Sequence, residues 1–297
     1  MQRRFATLDV FTDRRFTGNP LAVVLDAEGL DDAAMQAIAR EFGHPETVFT
    51  FAPEQAGNRA RLRIFTPARE LPFAGLPTVG TAVLLGLRDG AAKGQVMVLE
   101  EKVGPVRCVI EKVGADRAFA RFTAPQAPAE MGAAADNAAI AAALNLAPSE
   151  IGFDTFRPSR WSAGTAFTFV PVSSLAAIGQ CRLDLTAFKT AFGEAGMAYV
   201  FCGKTVEPGH HYHARMFAPS AGIPEDPATG SAAAAFPGVV CRFAPPGDGS
   251  HTLLMEQGYE MGRPSLIEIT MNVAAGAVGA AAIGGEAVVV TSGTIDA

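Results

Sequence analysis

The stretch Arg63-Ile-Phe-Thr-Pro67 decides the fold, because it returns 152 positions later as Arg215-Met-Phe-Ala-Pro219. A second stretch, Pro77-Thr-Val-Gly-Thr-Ala82, returns as Pro227-Ala-Thr-Gly-Ser-Ala232 at a spacing of 150 residues. This period is about half of the 297-residue chain and is too long for a solenoid repeat. The sequence therefore predicts the duplication of a whole domain.

Each copy of the repeat has the pattern of a strand, a turn rich in proline and glycine, and an apolar helix. The first helix is predicted over 77–87 and is apolar on nearly every side, so other structure must enclose it. The second helix is predicted over 227–236, with Pro237 expected to end or kink it. Strands flank both helices, which favours an α+β fold of two pseudo-symmetric domains, each a barrel-like mixed sheet around a central apolar helix.

The domain boundaries follow from the repeat and from a linker rich in proline and alanine at 124–129. The first domain is predicted to contain residues 1–120 and a C-terminal strand at about 285–297. The second is predicted over 125–284. Two domains also agree with what the chain length leads one to expect.

Composition excludes several classes of function. Hydrophobic residues make up 49% and charged residues 18% of the chain, which is typical of a globular protein. The net charge is −6, with Lys and Arg scattered, so no nucleic-acid partner is expected. The first residues lack the apolar segment of a signal peptide, and 273–290 has the pattern of two strands around a turn. We therefore expect a cytoplasmic protein without a membrane partner.

Cysteine and histidine give little indication of a metal. The four cysteines are widely spaced and form no CxxC pair, which indicates reduced and mostly buried thiols. The run His210-His211-Tyr-His213 could supply metal ligands, but a polar strand face is the favoured interpretation. We expect neither a metal nor a cofactor.

The two copies differ at two acidic positions, and these are the candidates for chemistry. Glu46 is predicted in the turn before a strand at 47–51, and its counterpart near Met197 is not a carboxylate. Asp226 lies in the second copy, where the first copy has Ala74-Gly75. A structural role should survive in both copies, whereas a reactive group is needed only once. Glu46, beside apolar residues that would raise its pKa, is a candidate general acid/base.

Ordinary structural roles remain open for the same residues. Glu46 could be a solvated glutamate beside a proline turn, and Asp226 could serve as a helix N-cap. Gly75 and Gly230 could simply permit tight turns. Alternatively, Gly230 and Ser231 begin a helix whose free N–H groups can bind an anion, and the two helix starts could face each other across a cleft.

Five motifs of the chain are specific enough to compare with known families. They are Phe16-Thr-Gly-Asn-Pro-Leu-Ala-Val-Val24, Pro45-Glu-Thr-Val-Phe49, Phe65-Thr-Pro-Ala-Arg-Glu-Leu-Pro-Phe-Ala-Gly75, Glu225-Asp-Pro-Ala-Thr-Gly-Ser231 and Glu256-Gln-Gly-Tyr-Glu-Met-Gly-Arg-Pro264. From about residue 5 to the C-terminus, the chain resembles, in collinear order, the PhzF-like isomerases of phenazine biosynthesis. The resemblance implies a fold similar to diaminopimelate epimerase, with the site between two domains. It also implies a homodimer that uses no cofactor or metal.

The resemblance implies specific roles for site residues. Glu46 matches the glutamate that shuttles a proton between two carbons of a dihydro-hydroxyanthranilate, and Asp226 matches the motif aspartate. The backbone amides that hold the substrate carboxylate fall on Gly75, Leu76, Gly230 and Ser231. The family's Gly-His-Pro stands here as Gly75-Leu76-Pro77, and its Asn-x-Ser-Glu as Gly43-His44-Pro45-Glu46. Both departures make the expected pocket less polar.

The sequence thus predicts a cofactor-independent isomerase that acts on a small anionic substrate bearing a carboxylate. Glu46 would be the general acid/base in an interdomain cleft. Two alternatives stay open: a one-base epimerase, and a catalytically silent protein that binds an anionic metabolite. Related racemases carry a cysteine in each of the two motifs, and their absence here argues against a two-thiol racemase.

Overall fold

A computed structural model describes residues 1–90, 92–112 and 114–297 of the chain. These residues divide into two compact units. The first contains Met1–Thr123 together with Ile283–Ala297, and the second contains Ala124–Ala282. Among the described residues, none of the helices combines the length and the apolar sequence that a membrane-spanning helix needs.

Strands outnumber helices in the described residues. The strands are β1 (Gln2–Val10), β2 (Asn19–Val24), β3 (Glu46–Phe51), β4 (Ala60–Phe65), β5 (Glu70–Leu71), β6 (Gln95–Glu101), β7 (Gly104–Lys112), β8 (Arg117–Thr123), β9 (Ala129–Glu130), β10 (Ser159–Ser162), β11 (Ala166–Pro171), β12 (Ala198–Cys202), β13 (Tyr212–Ala218), β14 (Ile223–Asp226), β15 (Gly249–Gln257), β16 (Ser265–Ala274), β17 (Ala277–Val278) and β18 (Ala282–Asp296). The α-helices are α1 (Asp32–Phe42), α2 (Gly75–Asp89), α3 (Asn137–Leu144), α4 (Leu175–Gln180), α5 (Leu185–Phe192) and α6 (Gly230–Phe243).

The first unit is a closed mixed barrel around α2. Its strands pair in the order β1, β2, β3, β4, β6, β7, β8 and β18, and β18 returns to pair with β1. The β2–β3 and β4–β6 pairs are parallel, whereas β1–β2, β3–β4, β6–β7 and β7–β8 are antiparallel. The predicted barrel-like sheet around a central helix is therefore confirmed.

Helix α2 is enclosed because its sequence offers no polar face. Every residue from Gly75 to Gly86 is buried, and the helix packs against β1, β2, β3, β6, β7 and β8. A side chain at Gly80 would overlap those of Leu21 and Val10, so glycine permits the close approach of helix and sheet. The helix begins two residues before the predicted start, since a proline in the first turn loses no helical hydrogen bond.

The second unit repeats the alternation of strand directions. The β10–β11, β12–β13 and β15–β16 pairs are antiparallel, and the β11–β12 and β13–β15 pairs are parallel. Helix α6 packs against β9, β10, β11, β16 and β17, so it occupies the place that α2 has in the first unit. The α+β fold with two pseudo-symmetric, epimerase-like units is confirmed.

The predicted bounds of the second helix were wrong. Helix α6 begins at Gly230 rather than 227 and continues past Pro237 to Phe243. Proline removes one helical hydrogen bond, but Phe236, Pro237 and Val239 are buried, and their packing offsets this loss. A side chain at Gly238 would overlap the ring of Trp161, which shows how closely β10 approaches the helix at this turn.

Candidate active site

Glu46 lies at the step from helix to strand that follows α1. Helix α1 begins after the Asp31 cap and ends before Gly43, which has a left-handed φ of 64°. The predicted turn position of Glu46 was wrong by one residue, because β3 begins at Glu46 rather than at residue 47, and Glu46 pairs in parallel register with Leu21. Its side chain is half-buried, whereas Thr47 beside it is fully buried. Glu46 therefore lies where an apolar interior ends.

The start of α2 presents backbone amides that its N-cap residue cannot satisfy. Ala74 takes the N-cap position with an extended backbone, and its methyl side chain accepts no hydrogen bond. The first N–H groups of a helix have no intrahelical partner, so an anion can bind them. Gly75 and Leu76 provide the first two, and both residues are buried.

The start of α6 has the same property for a different reason. Thr229 is the N-cap residue, but its hydroxyl does not cap the helix. It donates a hydrogen bond of 2.6 Å to the carboxylate of Asp226 instead. Gly230 is buried and Ser231 is half-buried at the first two helical positions. Asp226 lies at the end of β14 and is not the N-cap, so the alternative of a capping aspartate was wrong.

Gln257 holds the segment between β14 and α6 in place. Its side-chain amide donates to the carbonyl of Asp226 at 2.7 Å and to the hydroxyl of Thr229 at 3.0 Å. Its carbonyl oxygen accepts from the amide of Thr229 and from the hydroxyl of Tyr199, both at 3.1 Å. All four groups are buried, so the full set of hydrogen bonds fixes one geometry for Asp226.

The next residue, Gly258, allows its backbone to pack directly against the backbone of Pro227 in this segment. Gly258 has a φ of +79°, and a Cβ there would come 2.7 Å from the carbonyl oxygen of Pro227. Any other residue would therefore meet both a strained backbone and an overlap. Gln257 and Gly258 were not predicted as site residues, although both lie in the motif Glu256–Pro264.

A buried ion-pair cluster lies next to this segment. The ring of His213 is 2.9 Å from Glu256 through Nδ1 and 2.9 Å from Glu260 through Nε2. His210 Nδ1 lies 2.7 Å from Glu256, which also accepts from the amides of Val206 and Glu207. No His, Cys, Asp or Glu cluster among the described residues has the geometry of a metal site. His210 and His213 are therefore hydrogen-bond partners of these carboxylates.

Each unit contains an equivalent carboxylate that binds the loop between two strands. Glu100 accepts from the amides of Glu54 and Gln55, at 2.7 and 2.8 Å, and from the side chain of Asn58 at 2.7 Å. These hydrogen bonds, from Glu54 first, lower the pKa of Glu100. Burial alone would raise the pKa of Glu256, but the amides and the histidines lower it. Such roles occur in both copies, as expected of structural groups.

Arginine–glutamate pairs also recur in both units, on the hairpins that lead to the two helices. Arg63 binds Glu70 through two hydrogen bonds of 2.7 Å, and Arg215 binds Glu225 through two of 2.8 Å. Glu225 is therefore a partner of Arg215. Of the acidic pair Glu225-Asp226, only Asp226 is left as a candidate for chemistry.

Comparison with known proteins identifies the family. A family model described as "Phenazine biosynthesis-like protein" matches residues 8–293. The chain belongs to this PhzF family. An uncharacterized isomerase of Mesorhizobium japonicum is 47% identical and covers 99% of this chain and 98% of its own. The trans-2,3-dihydro-3-hydroxyanthranilate isomerase of Pseudomonas aeruginosa is 33% identical, with 88% of each chain covered.

Solved structures agree with this assignment. The crystal structure of a Bacillus anthracis phenazine biosynthesis protein of the PhzF family has a TM-score of 0.90 and 25% identity, with both chains covered completely. The predicted resemblance to PhzF-like proteins is confirmed, and so is the enzyme class, because the relatives of this PhzF chain are named isomerases. Membership of this isomerase family implies that the substrate is a small molecule.

Proposed function

We propose that this protein is a cofactor-independent isomerase that moves a proton between two carbons of a small cyclic carboxylate. The substrate class is that of the dihydro-hydroxyanthranilates, on which the Pseudomonas aeruginosa relative is named to act. Glu46 is the general acid/base, and Asp226 binds a polar substituent of the ring. The amides of residues 75–76 and 230–231 bind the carboxylate.

The observation that carries this proposal is the pair of helix starts that lack a side-chain cap. Ala74 cannot accept a hydrogen bond, and Thr229 directs its hydroxyl to Asp226. Both helices therefore keep their first N–H groups for another acceptor, at buried glycines where backbone can approach a ligand closely. A carboxylate satisfies such groups and also the positive end of a helix dipole.

The proposed reaction needs only one proton carrier. Glu46 as a carboxylate accepts a proton from one carbon, and the electron pair moves along the conjugated ring. The same carboxyl group then returns the proton to another carbon, so the product is an isomer and no oxidant is consumed. Positioned proton transfer of this kind contributes about 10²- to 10⁴-fold in rate.

Leu76 favours a second candidate. It is 3% exposed and stands where the resemblance places a histidine, so its side chain offers neither a proton nor a hydrogen bond. A site that keeps the backbone amides for a carboxylate but lacks the imidazole of this histidine could bind an anionic metabolite without converting it. A one-base epimerase is the third candidate, and in that case the proton returns to the same carbon.

Deuterium exchange separates the three. The protein is incubated in heavy water with trans-2,3-dihydro-3-hydroxyanthranilate, and the products are analysed by mass spectrometry and NMR. An isomerase yields product with deuterium at a new carbon, an epimerase yields exchange at one centre, and a binding protein yields none. Glu46→Gln should reduce the rate by about 10²-fold or more with little change in affinity.

The exposed Glu41 in α1 provides the matched control, and Glu41→Gln should retain full activity. Full activity in Glu46→Gln would exclude Glu46 as the base. If the unaltered protein binds the substrate but catalyses no hydrogen exchange, the isomerase proposal is wrong and the protein is a binding protein.

A further inference from the structure

Glu101 is a buried carboxyl group at the end of β6, and the proposed reaction does not use it. Its neighbour Glu100 binds the 54–58 loop, but Glu101 points to the other side of the strand and reaches the first turn of α2. The side chain is 7% exposed, and Glu101 Oε1 lies 2.7 Å from the hydroxyl of Thr78.

The hydrogen bonds of Thr78 require a proton on this carboxyl group. Thr78 Oγ1 lies 2.7 Å from Glu101 and 2.8 Å from the carbonyl oxygen of Ala74. A hydroxyl has one hydrogen, and a carbonyl can only accept. If Glu101 were ionised, one of the two short contacts would join two acceptors. If Glu101 is a carboxylic acid, it donates to Thr78, and Thr78 donates to Ala74.

The surroundings of Glu101 favour the same protonation state. Glu101 Oε2 is buried without a hydrogen-bond partner among the described residues, which is costly for a charged oxygen. Arg61, Arg63 and Lys102 line a cavity of about 500 Å³ that Glu101 also borders. However, Arg61 pairs with Glu54, and both Arg63 and Lys102 pair with Glu70.

Cys108 on β7 is a further titratable neighbour among the described residues, and it gives Glu101 no positive charge either. Burial, with a smaller contribution from Glu101, raises the pKa of its thiol, so the thiol stays neutral. Burial raises the pKa of Glu101 to about 8, although the hydrogen bond with Thr78 acts in the opposite direction.

The second unit performs the same task with a side chain that is always neutral. Gln257 follows Glu256 as Glu101 follows Glu100, and both lie at the end of a strand. Its amide donates to the hydroxyl of Thr229, which donates to Asp226 just before α6. In each unit a neutral donor therefore bonds to a threonine at the helix start, and the threonine bonds to the segment before the helix.

We propose that Glu101 is a positioning residue that works as a carboxylic acid and fixes the start of α2 through Thr78 and Ala74. This chain of hydrogen bonds from Glu101 through Thr78 to Ala74 is called the relay below. Ala74 immediately precedes the amides of Gly75 and Leu76, so the relay sets the direction in which these two N–H groups point. The consequence for catalysis rests on the proposed function, in which these amides bind the substrate carboxylate. Ionisation of Glu101 breaks the relay and places a negative charge near that site, so substrate binding weakens in alkaline solution.

The first test needs no substrate. Glycine-selective isotope labelling allows the amide signal of Gly75 to be followed by NMR from about pH 6 to about pH 9.5. We expect this signal to shift with a midpoint near pH 8. The shift should be absent in Glu101→Gln, whereas Thr78→Ser should retain it and Thr78→Val should lose it. Glu111→Gln is the control, because Glu111 lies on the outer surface near Lys93 and should leave the shift intact.

The second test measures affinity for anthranilate, an unreactive carboxylate, by calorimetry. Its Kd should rise about tenfold between pH 7 and pH 9 and should stay constant in Glu101→Gln. A pH-independent Gly75 signal in the unaltered protein would overturn the relay, whatever the substrate is. A shift that persists in Glu101→Gln would assign it to another group and would also overturn the proposal. Failure of the proposed function would instead appear as absent deuterium exchange with the Gly75 shift intact.

Discussion

The imidazole of His213 lies between two carboxylates, with Nδ1 2.9 Å from Glu256 and Nε2 2.9 Å from Glu260. Both ring nitrogens can donate only when the ring is protonated. Burial alone would lower the pKa of His213, but the hydrogen bonds with Glu260 and Glu256 raise it above its ordinary value. His213 is therefore an imidazolium that supports the strand leading to Gln257.

The free energy of unfolding should depend on this ion pair in a defined direction. Because the pKa of His213 is raised in the folded state, its contribution is complete at low pH and is lost as pH rises through the raised value. His213→Gln leaves Glu256 and Glu260 without their cation and should cost about 3 kcal/mol near pH 6. Urea denaturation should show a smaller cost near pH 9. The exposed His211 is the control, and His211→Gln should change stability little at either pH.

Glu101 should give the free energy of unfolding a second pH dependence, which Glu101→Gln removes. The pKa of Glu101 is raised from 4.5 to about 8 by burial. Between these values the folded protein holds one more proton than the unfolded chain, so stability falls as pH rises and levels off above about 8. The slope is about 1.4 kcal/mol per pH unit. If urea denaturation gives the same slope for the variant as for the unaltered protein, Glu101 is ionised in the fold.

Most of the fold could be predicted because it is repeated in the sequence. Two copies of an apolar helix between strands leave few arrangements other than a sheet wrapped around each helix. The end of α6 was mispredicted because the cost of Pro237 is a local quantity, whereas the packing of Phe236 and Val239 that offsets it depends on distant strands. The start of α2 differed because proline is accepted in a first helical turn.

In the candidate site, only the residues that differ between the two copies of the repeat could be predicted from the repeat. Glu46 and Asp226 were found because their counterparts lack a carboxylate, and they remain predictions. Glu101 could not be distinguished from Glu100 in the sequence, because adjacent strand residues point to opposite sides and only the fold tells which one is buried without a cation. Gln257 bonds to Thr229, 28 positions away, and no local pattern indicates that contact.

Gly258 should be essential for the geometry of Asp226. A methyl group there would overlap the carbonyl of Pro227, and φ is +79°. Gly258→Ala should therefore destabilise the protein by about 2 kcal/mol or more and displace the segment that contains Asp226. Gly262→Ala is the matched control, since Gly262 also has a positive φ, +68°, but its Cβ would meet open space. Equal thermal stability and activity of the two variants would exclude a role for the close contact.

Leu76→His should change substrate preference toward more polar cyclic acids. Leu76 is buried beside the amides proposed to bind the carboxylate, and histidine adds a hydrogen-bond donor and acceptor there. The ratio of kcat/KM for trans-2,3-dihydro-3-hydroxyanthranilate to that for the analogue without its hydroxyl should rise by about tenfold or more. Leu76→Met, which nearly conserves volume, is the control and should leave the ratio unchanged. The melting temperature should fall in Leu76→His, because a buried imidazole costs about 1–3 kcal/mol where its hydrogen bonds are incomplete. An unchanged ratio in a folded Leu76→His variant would mean that residue 76 contributes only its backbone amide, and substrate preference would then have to be set by other residues.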